Sequence, residues 1–281
     1  MRNLEYKPPQ YDLTIQNSNL TVESMSPKFL NMLKAAVCST ERMKPYFHAL
    51  VKLLEDQNIV YFVDAGTLLG AVRDGHEILW DDDYDIFMMT EEVKKTYRFL
   101  STRPEVVVNG QRVTFAIIEK PPRKPFCQIL VIDLDTKRQV DCGVVDVFYM
   151  TDKSGFQKPR ADDIYPIRRF KLGDIEVNVM NNYTEYLSRV FGSKWQTEYL
   201  VSNHAICPVG YRKENNHKYQ RLNREQYIIL SENFNRSDDK KEVMNYLKTG
   251  KLGIKKEIET TISSTETQND EKENIMLDIK Y

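Results

Sequence analysis

Cysteine is scarce: Cys38, Cys127, Cys142 and Cys207 are the only four in 281 residues, and no two stand at Cys-x-x-Cys spacing. That excludes a zinc ribbon and a dense disulfide framework, and reduced, packed thiols are the expected state. His204-Ala-Ile-Cys207 has the spacing of half a metal site but no second pair, so a packed loop is the simpler reading. Net charge is also lacking: 40 basic against 41 acidic residues leave −1, so no global field draws nucleic acid or an anionic membrane. No segment approaches the ~20 apolar residues of a membrane-spanning helix. The opening Met-Arg-Asn-Leu-Glu-Tyr-Lys-Pro-Pro-Gln lacks the apolar run of a secretory signal. The expectation is a cytoplasmic chain with no nucleic-acid partner and no integral membrane segment. No internal repeat is present.

What remains is an ordinary globular composition, 41% hydrophobic and 11% aromatic, enough for one large domain or two small ones. Residues 1–26 are polar and irregular, punctuated by Pro8-Pro9, and read as a surface arm. Residues 27–254 carry the periodic patterns of a folded domain. Residues 255–281 read as a flexible polar tail, because the stretch from Ser263 to Asn274 buries too little apolar surface to offset the entropy of ordering it. The closing Ile275-Met-Leu-Asp-Ile-Lys-Tyr281 has the apolar character of a docking strand, which leaves the alternative of a tied-down terminus open.

Met43, Phe47, Leu50, Val51 and Leu54 recur at helical spacing and predict an amphipathic helix ending before Asn58. The period then changes. The apolar, β-branched run 59–63 predicts a buried strand leading through Ala65-Gly66-Thr67 into a short helix over Leu68, Leu69 and Val72. Residues 84–89 predict a second strand, and Thr90 with Glu91 and Glu92 a helix start reaching Leu100. Three more strands are predicted over 113–118, 128–132 and 143–148. A hairpin about Gly173-Asp174 spans 164–179, and a helix over 183–191 stops at Gly192. Strands so closely spaced, with helices between only some of them, predict the α/β class with a mixed β-sheet flanked by helices.

Against this background one stretch is unusual. Asp74, Asp81, Asp82, Asp83 and Asp85 crowd together, yet Ile78-Leu79-Trp80 precede the run and Ile86-Phe87-Met88-Met89 follow it. A solvated acidic turn is the plain alternative, but the apolar flanks hold these carboxylates at the edge of buried structure. Side chains alternate along a strand, so Asp83 and Asp85 share a face, with Asp81 joining them if the extended geometry begins that early. Carboxylates so spaced suit a hard divalent cation, Mg²⁺ or Mn²⁺, that also takes substrate phosphates. A further carboxylate is needed for a metal pair, and Asp146 is the candidate because it stands alone inside Gly143-Val-Val-Asp-Val-Phe-Tyr149. The alternative for Asp146 is a strand-end acid paired with an arginine.

Gly66-Thr67 supplies a backbone able to approach a phosphate at a helix start, and the planar fork of Arg73 suits a second phosphate contact. His76 in its polar turn, and the basic stretch Lys120-Pro-Pro-Arg-Lys124, read as solvated surface rather than as site. Trp80, Trp195 and most of the sixteen tyrosines read as packing.

Taken in order, Asp64-Ala-Gly-Thr-Leu-Leu-Gly-Ala-Val-Arg73, Trp80-Asp-Asp-Asp-Tyr-Asp-Ile86 and Val145-Asp-Val-Phe148 resemble the LicD family, which includes bacterial phosphocholine transferases and is related to fukutin and fukutin-related protein. The likeness continues through the hairpin at 170–179 and the helix up to Trp195, covering roughly residues 45–200. It departs at Arg73-Asp74-Gly75-His76 and Leu79-Trp80, in the donor-facing loop, and at Phe191, where the family usually has Tyr. The resemblance implies a nucleotidyltransferase-type fold with a C-terminal helical extension. It implies Gly66 and Thr67 in the glycine motif, Asp83 and Asp85 as the paired acids, Asp146 as the third acid and Asp81 as a further member of the row. It also implies a CDP-activated donor such as CDP-choline and a glycan or glycolipid acceptor. Two other functions stay open: transfer of a nucleoside monophosphate from an NTP, and a binding protein that kept the fold without the activity.

Overall fold

The computed structural model describes residues 27–119, 126–149, 159, 161–201 and 221–249. The expectations for the arm 1–26, the basic stretch 120–124, the His204 and Cys207 pair and the tail 255–281 lie outside the described residues.

The first helix, α1 (Pro27–Asp56), carries the stripe Leu33, Val37, Thr40, Met43, Phe47, Leu50 and Leu54, spaced by three or four residues and buried throughout. Thr40 is the one polar member, and its hydroxyl donates to the Asp81 carbonyl at 2.7 Å. After α1 come β1 (Phe62–Val63), α2 (Ala65–Arg73), β2 (Tyr84–Met88) and α3 (Thr90–Ser101). Four longer-range strands follow, β3 (Val106–Val108), β4 (Gln111–Glu119), β5 (Phe126–Asp133) and β6 (Gln139–Tyr149). All six strands form one sheet in the order β1-β2-β6-β5-β4-β3. Only β2 and β6 run parallel; the other neighbours are antiparallel. The fold is therefore α/β with a mixed sheet flanked by helices, as the strand spacing predicted.

Helices α1 and α3 cover one face of the sheet. Phe47 stacks on Tyr84 with ring centroids 4.1 Å apart, and the Thr96 hydroxyl reaches the Met88 sulfur at 3.4 Å. Because strand side chains alternate, Asp85 points to the opposite face. On β5 the same alternation buries Cys127, Ile129 and Val131 and leaves Gln128 and Leu130 half-exposed. The second face is thus only partly covered, and it carries the acids. Cys38, Cys127 and Cys142 are buried free thiols, as expected for packed cysteines.

The rest of the chain comprises α4 (Ala161–Ile164), the hairpin β7 (Arg168–Leu172) with β8 (Ile175–Val179), and α5 (Tyr183–Phe191), then β9 (Glu198–Leu200) paired with β10 (Arg221–Asn223). Gly192 ends α5 with φ of 89°, a conformation that L side chains rarely adopt. Two C-terminal helices follow, α6 (Arg224–Arg236), opened by a capping box between Asn223 and Gln226, and α7 (Asp238–Thr249). Ion pairs from Lys34 to Asp239 (2.9 Å) and Glu242 (2.8 Å), and from Lys240 to Glu41 (2.7 Å), fasten α7 to α1.

Three local expectations change. The strand read over 59–63 shrinks to Phe62 and Val63, since only these meet β2, although Ile59 and Tyr61 are buried as predicted. The hairpin begins at Arg168 rather than at 164, because 161–164 coil into α4. Strand β3 had no counterpart in the reading, yet its signal was present: Asn109 and Gly110, with φ of 51° and 81°, form a two-residue hairpin turn into β4. Among the described residues no helix is long and apolar enough to cross a membrane.

Candidate functional site

The parallel pairing of β2 with β6 sets Asp85 directly beside Asp146. Asp83 immediately precedes β2, two residues before Asp85 and so on the same side. Carboxylate oxygens of Asp83, Asp85 and Asp146 lie within 4.8 Å of one another, with Asp85 buried and the other two half-buried. Asp81, Asp82 and Asp83 form a second such group along the preceding loop. Sequence reasoning grouped Asp81, Asp83, Asp85 and Asp146; the structure brings Asp83, Asp85 and Asp146 together and sets Asp81 beside Asp83 in the second group.

Asp85, Asp146 and the loop acids Asp81 and Asp82 are held by neighbours remote in the chain. Both backbone groups of Asp85 are engaged by the turn that opens α2: its N–H donates to the Thr67 hydroxyl and its carbonyl accepts the Asp64 N–H, both at 2.9 Å. On β5, Gln128 stands opposite Asp146 and donates Nε2 to Asp146 Oδ1 at 2.9 Å. The loop acids are tethered to α1, where Ser39 donates to the Asp82 carbonyl at 2.8 Å beside the Thr40 bond to Asp81. Burial, and then the charges of Asp83, Asp81, Asp146 and Asp64, push the Asp85 carboxyl well above the ordinary carboxylate range.

The glycine motif serves these acids. A Cβ built on Gly66 would stand 2.8 Å from Asp81 Oδ1 and closer still to Oδ2, so glycine is what lets the Asp81 carboxylate lie on the helix start. Thr67 is 3% exposed and its hydroxyl is spent on Asp85. Arg73 requires a correction. Its side chain is 4% exposed, its Nε and Nη2 both lie 3.0 Å from Asp74 Oδ2, and its guanidinium carbon sits 3.6 Å above the Tyr199 ring. Tyr199 in turn stacks on Tyr227 at 4.1 Å and donates to Asp74 Oδ1 at 2.6 Å. Buried and doubly engaged, Arg73 is part of the core between α2 and β9 rather than a phosphate contact. Trp80 and Trp195 are core residues, donating to the Leu200 carbonyl and the Ser188 hydroxyl.

Sequence reasoning missed Asp64, Gln128 and Tyr186. Asp64 had a signal, an aspartate immediately ahead of a helix start, where it caps the Ala65 N–H at 2.8 Å. Gln128 and Tyr186 had none, since only the sheet register and the docking of α5 bring them to the acids. A polar cleft walled by Glu41, Lys44, Glu77 and Lys240 lies between α1, the 76–79 loop, α6 and α7, and none of the three converging acids lines it.

Residues 58–182 match the family profile described as LicD/FKTN/FKRP, nucleotidyltransferase domain. The chain is 29% identical over 155 residues to an uncharacterized protein, RP689, of Rickettsia prowazekii, covering 55% of this chain and 56% of that one. It is 30% identical over 126 residues to RT0683 of Rickettsia typhi, also uncharacterized, covering 45% and 38%. A shorter match, 44% identical over 50 residues and 18% of each chain, is to the lipopolysaccharide cholinephosphotransferase LicD of Haemophilus influenzae. The matched stretch thus spans about half of the first relative's length, and less of the others.

Proposed function

Residues 58–182 of this chain are a LicD-family nucleotidyltransferase domain, and from that premise we propose a metal-dependent transferase that moves phosphocholine, or another phospho-alcohol, from a CDP-linked donor to a glycan or glycolipid hydroxyl. The observation that carries the reading is the convergence of Asp83, Asp85 and Asp146 on a half-open sheet face. The activity for which the Haemophilus relative is named supports the choice of phosphocholine.

The donor set fits a hard cation. All its ligands are carboxylate oxygens, and Asp85 is buried among four other acids, an arrangement that a divalent ion relieves. Mg²⁺ or Mn²⁺ held by Asp83, Asp85 and Asp146, with Asp81 beside them, would neutralise the donor diphosphate and polarise the transferred phosphoryl group. The chain's own part is positional and acid–base. Two backbone bonds keep Asp85 still, and the Gln128 amide fixes the plane of Asp146. Asp146 takes the proton of the acceptor hydroxyl as its oxygen bonds to phosphorus and the bond to CMP breaks. Gly66 and Thr67 act through Asp81 and Asp85 rather than by gripping phosphate.

A second reading, transfer of a nucleoside monophosphate from an NTP, is favoured by the family description itself. One experiment separates the two. CDP-choline labelled in either the choline or the cytidine is incubated with Mg²⁺ and a glycan acceptor, with CDP-ribitol, CDP-glycerol and CTP in parallel. Choline label on the acceptor, with release of CMP, is the expected result. Cytidine label on the acceptor would replace this reading with nucleotidyl transfer, and no transfer from any donor would remove both.

A further inference from the structure

Beneath the acids lies a buried hydrogen-bonded pair that the proposed chemistry does not use. Tyr186 of α5 and Asp64 at the start of α2 are each 3% exposed, and the phenol donates to Asp64 Oδ1 at 2.6 Å. The same oxygen accepts the Ala65 N–H at 2.8 Å. Burial, followed by the charge of Asp64, keeps the phenol protonated and therefore a donor. Ala65 has φ of 43°, in the left-handed region where a residue with a Cβ is strained. Such a conformation persists only where its surroundings impose it, and here the doubly bonded Asp64 carboxylate does so.

Three contacts to the acids leave from this one turn: the Asp64 N–H to the Asp85 carbonyl, the Thr67 hydroxyl to the Asp85 N–H, and the bare face of Gly66 under the Asp81 carboxylate. The other end of the linkage is firm. Arg189 of α5 pairs with buried Asp163 at 2.5 Å, and its guanidinium carbon lies 5.6 Å from the Tyr186 ring centre.

We propose that Tyr186 is a positioning residue for the cation-binding acids, acting through Asp64 and the strained turn at Ala65. The inference rests on the preceding reading only in that the acids bind a divalent cation, and it extends the working site past residue 182, where the family match ends.

Mn²⁺ uptake by the full chain, followed as loss of the free-ion EPR signal, tests it alongside transfer kinetics. Outer partners of metal ligands typically set affinity by ten- to a hundredfold. Tyr186→Phe is therefore expected to weaken Mn²⁺ binding by about tenfold and to lower kcat while leaving the donor KM unchanged. Tyr199→Phe is the control, because it removes a bond of the same 2.6 Å length to an aspartate, Asp74, that belongs to neither acid group. It is expected to lower the melting temperature without altering Mn²⁺ affinity. Wild-type affinity in Tyr186→Phe, or equal weakening in Tyr199→Phe, overturns the proposal while leaving the metal reading intact. A wild-type protein that takes up no Mn²⁺ overturns the metal reading, and this inference with it. Should Tyr186→Phe not fold, Asp64→Asn and Asp64→Ala decide the matter: they lose the same charge, but only Asn keeps an acceptor for both donors. The Asp64→Asn protein must bind Mn²⁺ more tightly than the Asp64→Ala protein, and equal affinities refute the role.

Discussion

Asp85 has an environment unfavourable to its own charge. Burial and then Asp83, Asp81, Asp146 and Asp64 raise its carboxyl well above the ~3.9 of an exposed aspartate. Without a cation, the native state thus binds this proton more tightly than the unfolded chain does. Native stability consequently falls as pH rises from the unfolded value through the folded one. Asp85→Asn removes that loss. In chelator at about pH 8 the variant is predicted to melt above wild type, and the gap should close below about pH 3, where both states hold the proton. The same variant should gain nothing from Mg²⁺ and should lose transfer activity by more than about a hundredfold, beyond the effect typical of outer partners. Melting scans at the two pH values, with and without Mg²⁺, check the stability outcomes, and transfer from labelled donor checks the activity. A lower melting temperature than wild type in chelator at the higher pH would contradict the account.

Among the elements, α1 does more than pack. Its apolar stripe covers the sheet, while Ser39, Thr40 and Lys44 reach the loop that carries the acids. Glu77 in that loop is 14% exposed at its side chain, lies 3.2 Å from Lys44 and accepts the Tyr84 hydroxyl of β2 at 2.8 Å. Burial alone would raise its carboxyl, but Lys44 and the Tyr84 bond overcome this, and the net shift is downward. Its contribution to stability is therefore present above the unfolded pKa and lost as pH falls through the lower folded one. Glu77→Gln is predicted to cost on the order of 1–3 kcal/mol at neutral pH, because it leaves Lys44 and Tyr84 with a weaker partner. Urea titrations at neutral and acid pH should show the difference from wild type shrinking as the solution is acidified.

At the scale of the molecule, the matched family domain ends at residue 182, but the core does not. Tyr227, Leu230, Phe234 and Val243 of α6 and α7 are almost completely buried, and Tyr227 packs edge-on against Trp80 beside the acid loop. At roughly 1.5–3 kcal/mol for each buried apolar side chain, these four contribute on the order of 6–12 kcal/mol. That is comparable to the whole stability of a typical domain, about 5–15 kcal/mol. A chain stopped after Asn223 is accordingly predicted to be unfolded or insoluble, even though it retains the whole matched domain and every acid. Circular dichroism and soluble yield measure this, and a folded truncation would show that α6 and α7 are accessory.

Much was legible in the sequence alone. Period and punctuation are properties of neighbouring residues, so the helical stripe of α1, the strands read over 84–89, 113–118, 128–132 and 143–148, and the stop of α5 at Gly192 could be read directly. So could the common face of Asp83 and Asp85, which follows from a two-residue spacing, and the singularity of Asp146 in an apolar run. A pattern of this kind reports which side of an element is buried, and nothing about what covers it. The partner was decided by tertiary structure. Chain folding across α3 and three intervening strands brings β2 beside β6 in parallel and sets Asp85 next to Asp146. Arg73 shows the same limit in reverse, for its spacing suited a phosphate contact until Asp74, Tyr199 and the Trp195 carbonyl enclosed it. Tyr186 and Asp64 lie 122 residues apart, and no local preference encodes a hydrogen bond over that separation. It exists because burying α5 leaves the phenol no water to bond and one carboxylate within reach.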